Sequence, residues 1–318
     1  MSSLRGRFKQ ALDTFSGYPS KPLEESASVI FGVPLDVTHT WMSGTRHGPE
    51  VIRYTSKNIE SYSLAAEADI EDAKIHDLGD LKLSKTLQKT LQSIRAATSE
   101  IRSLKKIPFI LGGEHTITLG AIPLQIDGLA ILQFDAHMDL RDRYEGRKVS
   151  HTTFMRRIAE SIDPHNIMQI GVRAISKEER RFAEKAGILY IMASELFCNS
   201  TESIADCLSE RLDGCRSTYL TIDIDVLDPA FAPAVGNPEP AGIMPPQLID
   251  LIRKLIDRRL VGVDLVEVSA RETFRDEPYF DADAIRTGAL ASRILFETIF
   301  AFDQSAEPTV RKPQTVSQ

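Results

Sequence analysis

The sequence predicts an α/β fold, a parallel sheet of about eight strands with helices on both faces. Short apolar runs alternate with helix-length segments through most of the chain. Four polar clusters lie at or just beyond the C-terminal ends of four different apolar runs, where open parallel sheets bind their ligands. The 318 residues, 42% hydrophobic and 26% charged, describe a soluble globular protein of enzyme size.

Ser28–Pro34 reads as the first strand and leads into a long loop. Gly48-Pro49 opens a helix, with proline where its missing N–H does no harm. Ser84–Lys105 has helical periodicity, placing Leu87, Leu91, Ile94 and Ile101 near one face. Ile107–Leu111 is a strand ending in Gly112-Gly113, and Ala130–Phe134 is another. Ile167–Val172 follows, and Ser176-Lys-Glu-Glu179 after it reads as a capping box opening a helix. Ile188–Met192, Thr218–Ile222 and Val261–Val266 complete the strands, with helices around 201–212, 246–258 and 282–300. Residues 1–302 form one domain in this reading, and 303–318 a polar, proline-containing disordered tail.

A balance of 38 basic against 45 acidic residues, net −7, weighs against nucleic acid and anionic membranes as partners. Cys198, Cys207 and Cys215 form no CxxC pair, which points to a reducing cytoplasmic compartment with the thiols as small apolar fillers. Met1–Phe8 has basic residues with no apolar core behind them, so it is not read as a signal peptide. No segment approaches the roughly 18 consecutive apolar residues of a membrane helix.

The chemistry is organised around Leu129–Asp139. Its apolar run ends in Asp135, His137 and Asp139, spaced two apart, so an extended backbone would aim all three to one side. Burying such a group is costly unless cations hold it. Gly112-Gly113-Glu114-His115, Asp223-Ile224-Asp225 and Glu267 join it at the same sheet edge. Without Glu267, the set is His115, Asp135, His137, Asp139, Asp223 and Asp225. Six mainly oxygen ligands are too many for one four-coordinate zinc, which often takes thiolates. They suit two ions sharing carboxylates, with Mn²⁺ the leading candidate. Two ions about 3.5–4 Å apart can bind one water and lower its pKa towards neutrality.

GGEHT (112–116), FDAHMDLRD (134–142), SHTTF (150–154), TIDIDVLDPAFAP (221–233) and NPEPAGI (237–243) resemble the ureohydrolase family of arginases and agmatinases, archaeal-type agmatinases most. GVPLD (32–36) and GTRHGP (44–49) also fit, and the resemblance covers residues 28 to 300. It implies a three-layer α/β/α domain with a mainly parallel eight-stranded sheet and two Mn²⁺ per subunit, with Co²⁺ or Ni²⁺ as other divalent choices. His115 and Asp139 would bind one ion, His137 and Asp225 the other, and Asp135 and Asp223 would bridge them. The implied reaction is attack of a metal-bridging hydroxide on a guanidinium carbon, giving urea and an amine; agmatine would give putrescine, a step of polyamine synthesis. Asp139 would pass a proton to the departing amine, and Glu267 would pair with the guanidinium. His151 would shuttle protons, as suits a group titrating near neutrality. The resemblance also implies a homo-oligomer, a trimer or hexamer.

The substrate's far end divides the signals. Arg141, Arg143, Arg147 and Lys148 outnumber Asp142 and Glu145 on the expected pocket rim, which favours a substrate ending in a carboxylate. The resemblance over RDRYEG and SHTTFMRRI, with no acidic residues after Gly171-Val172, favours agmatine, and agmatine is the expected substrate. Two segments depart from the family pattern: 234–242, which ends Pro-Ala-Gly where agmatinases end Pro-Gly-Gly, and 269–277. They leave arginine, guanidinobutyrate or another guanidino compound as alternatives. Plainer readings stand beside these roles. Glu267 could answer a nearby arginine, and His151 could cap the helix that follows it. His39, His47, His76 and His165 read as structural or surface groups, and Trp41 as loop packing. Asp228-Pro229 reads as a turn leading the chain away from the metals. A metal-stabilised scaffold without catalysis would be expected to lack a ligand, His151 or Glu267, and none is missing.

Overall fold

Ser28–Val33 and Leu129–Phe134 carry no charge, and every residue in both is buried. A strand apolar on both faces needs a layer packed on each side. The computed structural model, which describes residues 2–271 and 280–306, supplies both layers. Its strands are β1 (Phe8–Lys9), β2 (Ser28–Val33), β3 (Tyr62–Ser63), β4 (Ala68–Asp69), β5 (Ile75–Leu81), β6 (Ile107–Gly112), β7 (Leu129–Phe134), β8 (Ile167–Val172), β9 (Leu189–Met192), β10 (Ser217–Asp223) and β11 (Leu260–Val266). The helices are α1 (Ser2–Gly6), α2 (Gly48–Ser56), α3 (Leu87–Ser103), α4 (Thr118–Ala121), α5 (Phe154–Ala159), α6 (Lys177–Ala186), α7 (Ala193–Cys198), α8 (Thr201–Leu212), α9 (Pro245–Leu255) and α10 (Ala282–Ala306).

Among the described residues, nine strands form one sheet in the order β1-β5-β2-β6-β11-β10-β7-β8-β9. Every pairing is parallel except that of the short β1 with β5. Side-chain alternation decides which core a strand residue joins. Leu129 and Ile131 of β7 enter a cluster with Ile94 and Ile101 of α3 and Phe154 of α5. Ala130, Leu132 and Phe134 enter the other, with Ile52 of α2, Leu208 of α8, Leu251 of α9 and Phe296 of α10. Two cores on opposite faces make the three-layer α/β/α architecture. The capping box of α6 is present: Ser176 Oγ accepts the Glu179 N–H, and Glu179 Oε2 accepts the Ser176 N–H at 2.9 Å. No helix among the described residues is long and apolar enough to cross a membrane.

The sheet has nine strands where eight were expected, and β5 explains part of the difference. Its sequence, IHDLGDL, breaks the apolar pattern with Asp77 and Asp80. Both carboxylates bind Arg53 of α2, which is 1% exposed. Arg53 Nε reaches Asp77 Oδ2 at 2.8 Å, Nη2 reaches Asp77 Oδ1 at 2.9 Å, and Nη1 reaches Asp80 Oδ1 at 2.6 Å. The charges are thus answered where they stand, and the strand can lie inside the sheet. Two of the thiols also differ from expectation. Cys198 and Cys207 are exposed, Cys215 is half-buried and packs against the core as expected, and all three are free thiols. Helix α10 continues past Asp303 to Ala306; residues 307–318 of the expected tail, and 272–277 of the divergent segment after Glu267, lie outside the described residues.

Replacing Arg53 with leucine leaves Asp77 and Asp80 without their buried counter-charge. We expect a loss of about 3–5 kcal/mol, read as a lower urea midpoint; an unchanged midpoint would contradict this account of β5.

Candidate metal centre and substrate pocket

The sheet order sets β6, β11, β10 and β7 side by side, so the segments leaving their parallel C-terminal ends meet at one edge. After β6, His115 starts a 3-10 turn. Gly113 allows the chain to pass there, since a Cβ on it would stand 2.1 Å from the Leu35 carbonyl oxygen. Strand β10 ends on Asp223, whose Oδ1 accepts the Asp225 N–H at 2.8 Å and turns Asp225 into the site. Strand alternation predicts Asp135, His137 and Asp139 on one side, but β7 stops at Phe134. His137 is placed by a backbone bridge to Ala174, and Asp139 arrives through a left-handed turn with φ 55°. Glu267, next after β11, has φ 67°. Such conformations cost of order 1–3 kcal/mol each and gather at functional sites.

All six candidate ligands come together. The ligand atoms of His115, Asp135 and Asp139 lie within 4.8 Å of one another, and so do those of Asp135, His137 and Asp225. Asp135 belongs to both groups. Its Oδ2 is 3.1 Å from His115 Nδ1 and its Oδ1 is 3.5 Å from His137 Nδ1. Asp225 Oδ2 is 2.9 Å from His137 Nδ1, while Asp223 Oδ2 is 3.2 Å from His115 Nδ1. Asp135 is itself held by the Gln133 amide at 2.7 Å and the His137 N–H at 2.6 Å.

The donor set fits cations, and His115 gives the clearest test. Its Nε2 lies 2.9 Å from Thr221 Oγ1, whose hydroxyl donates to Asp264 Oδ1 at 2.5 Å. The Thr221 oxygen therefore accepts from Nε2–H, which leaves the Nδ1 lone pair facing carboxylates. Nδ1 is buried and makes no hydrogen bond of acceptable geometry with any of them. A lone pair among carboxylate oxygens is repulsive unless a proton or a metal ion stands between. The titration shifts agree. Burial would lower the His115 imidazole, but Asp135 and the charges of Asp139 and Asp264 raise it to about 9. Burial, and then the Asp135 charge, lifts Asp139 well above the usual carboxylate range; burial and neighbouring carboxylates do the same to Asp223. Such a cluster gathers protons that divalent ions would displace.

Glu267 and His151 border the same space. Glu267 Oε1 accepts the His115 N–H at 2.7 Å, leaving Oε2 for a ligand, and burial raises its pKa to about 8. His151 Nδ1 lies 3.1 Å from Thr38 Oγ1, and Thr38 Oγ1 donates to Glu114 Oε1 at 2.8 Å. That fixes the proton on Nδ1 and the lone pair on Nε2, beside the Asn237 amide at 3.4 Å. Burial, with the charges of His115 and His137, pushes the His151 imidazole down to about 4, below the near-neutral value expected for it. Glu114 also accepts the N–H groups of Val37 and Thr38, at 2.5 and 2.7 Å, and so anchors the loop between β2 and α2. The sequence reading gave no role to Glu114, Thr38, Asn237, Thr221 or Asp264. Glu114, a charge inside an otherwise apolar and glycine-rich strand end, was the one available signal.

The pocket, about 240 Å³, runs from the ligand cluster to a rim that includes Trp41, Arg141, Tyr144 and Glu239. None of His39, His47, His76 or His165 lines it. Trp41, expected to pack in its loop, is 67% exposed on the rim. The expected basic surplus is absent from the pocket. Arg143 donates to the Gly146 carbonyl and Arg147 to the Val37 carbonyl, and both are exposed with Lys148. Among the described lining residues, Arg141 is the one arginine or lysine. It lies 3.6 Å from Glu179 and packs over the Tyr144 ring. Asp228 makes the expected turn, accepting N–H groups from Ala230 and Gly242. Ala241 in that loop has φ 61°, a strained position that the glycine of the common family pattern would relax.

Comparisons with known proteins place the chain in a family. The sequence model of the Arginase family matches residues 26–301. An uncharacterized 32.2 kDa protein of Methanothermus fervidus is 39% identical over 276 residues, 86% of this chain and 90% of that one. The agmatinase of Bacillus anthracis is 37% identical over 270 residues, 83% of this chain and 91% of that one. The crystal structure of an agmatine ureohydrolase of Thermoplasma volcanium superposes with TM-score 0.80 at 30% identity, covering 96% of this chain and 98% of that one. The chain belongs to the arginase family.

Proposed function

We propose that this enzyme is a binuclear metal hydrolase that cleaves agmatine to urea and putrescine. One observation carries the reading: the Asp135 carboxylate is shared by two histidine–aspartate groups, one of which holds the unpaired His115 Nδ1. In this reading His115 and Asp139 hold one Mn²⁺, His137 and Asp225 the other, and Asp135 and Asp223 serve both. When bound, such a pair supplies Lewis acidity and a water of lowered pKa.

The chain's own groups do the rest. Glu267 Oε2 takes the guanidinium, whose charge would keep that carboxylate ionised against its burial. With Oε1 tied to the His115 N–H, the substrate's head is positioned directly over the ligand loop. Asp139 would relay to the departing amine the proton that the attacking water gives up. His151 stays neutral and offers the Nε2 lone pair to a proton at the pocket wall. Agmatine is favoured over arginine or guanidinobutyrate because a carboxylate would meet no free cation among the described lining residues: Arg141 is already paired with Glu179. Similarity to an agmatinase and to an agmatine ureohydrolase supports the same choice.

Mn²⁺-loaded protein should release urea from agmatine in preference to arginine, guanidinobutyrate, guanidinopropionate and guanidine. Preference for an acid would mean that Arg141 leaves Glu179 to read a carboxylate. No urea from any of them, with two metals bound, would favour the scaffold reading. Asp139→Asn should lower kcat on agmatine at least about a hundredfold while the fold, read by circular dichroism, is kept; unchanged turnover would sink the assigned role.

A further inference from the structure

The loop 236–239 runs along the pocket from its reacting end to its rim. Gly236 abuts Glu267, with Glu267 Oε2 3.5 Å from where a Cβ on Gly236 would stand. Asn237 contacts His151 Nε2, and Pro238 and Glu239 continue along the lining. Three residues of chain span at most about 10 Å, the scale of an extended butyl chain with its two end groups. Glu239 thus stands on the same wall as Glu267, within reach of the far end of a guanidinoalkylamine whose head is on Glu267.

Its backbone is fixed and its side chain is not engaged. Arg173 Nη2 donates to the Glu239 carbonyl at 2.8 Å, and Nε to the Glu239 and Pro240 carbonyls at 3.2 and 3.1 Å. The remaining Arg173 bonds go to the carbonyls of Gly171, Val226, Asp225 and Leu227. The guanidinium therefore clamps the loop to the exits of β8 and β10 while giving no N–H to the Glu239 carboxylate. That carboxylate, half-buried in the pocket wall, makes no hydrogen bond or ion pair with the described residues. Glu179, the other carboxylate of the outer pocket, is spent on Leu140 N–H, Ser176 N–H and hydroxyl, and Arg141. Among the described residues, the outer pocket is left with one carboxylate that has no hydrogen-bond or ion-pair partner, Glu239. In the same lining the exposed Trp41 offers an aromatic wall to a methylene chain or a cation.

We propose that Glu239 is the specificity residue of this pocket, pairing with the terminal ammonium of a guanidinoalkylamine while Trp41 flanks its methylenes. This rests on the reading of the pocket as a guanidino-hydrolase site and names the group that selects the substrate's other end. Glu239 touches no reacting atom, so its removal acts on binding of the tail.

The test compares wild type with Glu239→Gln, both full-length and metal-loaded. Urea release is followed from agmatine and from butylguanidine, which lacks the ammonium. We expect the variant to lose about tenfold in kcat/KM for agmatine, mostly through KM, with butylguanidine unchanged. Equal losses on both substrates, or none on either, would overturn the proposal. Calorimetry of 1,4-diaminobutane and 1-aminobutane reads the same contact without turnover. A weaker diamine with an unchanged monoamine supports Glu239 even if no substrate yields urea, an outcome that would count against the hydrolase reading alone. Parallel binding of the two amines to both proteins would overturn the assignment to Glu239.

Discussion

The constraint on which the rest of this structure depends is a concentration of buried negative charge at the edge of a parallel sheet. Asp135 and its neighbours Asp139, Asp223 and Asp225 are almost fully removed from water. Carboxylates in that position are unstable unless something positive stands among them. The histidines supply part of the answer: His115 and His137 hold the Asp135 carboxyl well below its usual range against the opposing effect of burial. They cannot supply all of it, since Asp139, Asp223 and Glu267 are pushed towards their protonated forms. The fold holds these groups in place regardless. Gln133 secures Asp135, the Thr221–Asp264 pair secures His115, and the cores on either face hold the four strands in register. A scaffold that fixes repelling groups around one point in this way suits a cation there.

Much of this site was legible in the sequence because its chemistry is local. Asp135, His137 and Asp139 occupy five consecutive positions, and Asp223 and Asp225 three, each at the end of an apolar run. That such ends share an edge follows from parallel topology alone. The path of the backbone was not legible: Asp139 reaches the site by a left-handed turn that no alternation rule contains. The supporting groups were hidden for another reason. Thr38 meets His151 across 113 positions and Thr221 meets His115 across 106, and a lone threonine carries no pattern to announce such a contact. Strand β5 was missed because Asp77 and Asp80 break its apolar pattern, and Arg53, which answers them, lies 24 and 27 positions away.

Charge counting along the chain failed most clearly at the rim. The basic surplus in 141–148 is real in sequence, yet Arg143 and Arg147 turn to backbone carbonyls and Arg141 is answered by Glu179. Among the described lining residues, Glu239 is the charge that remains without a hydrogen-bond or ion-pair partner. A single loop, 236–242, passes Glu267 and carries Glu239 along the pocket, with Arg173 fixing it and Ala241 bearing the strain of its last turn.

The central claim is that Asp135 stands between two cation sites, and anomalous diffraction from crystals of the Mn²⁺-loaded protein tests it most directly. The account predicts two peaks about 3.5–4 Å apart, one against His115 and one against His137, with the Asp135 carboxylate between them. A single peak, or peaks away from Asp135, would contradict it.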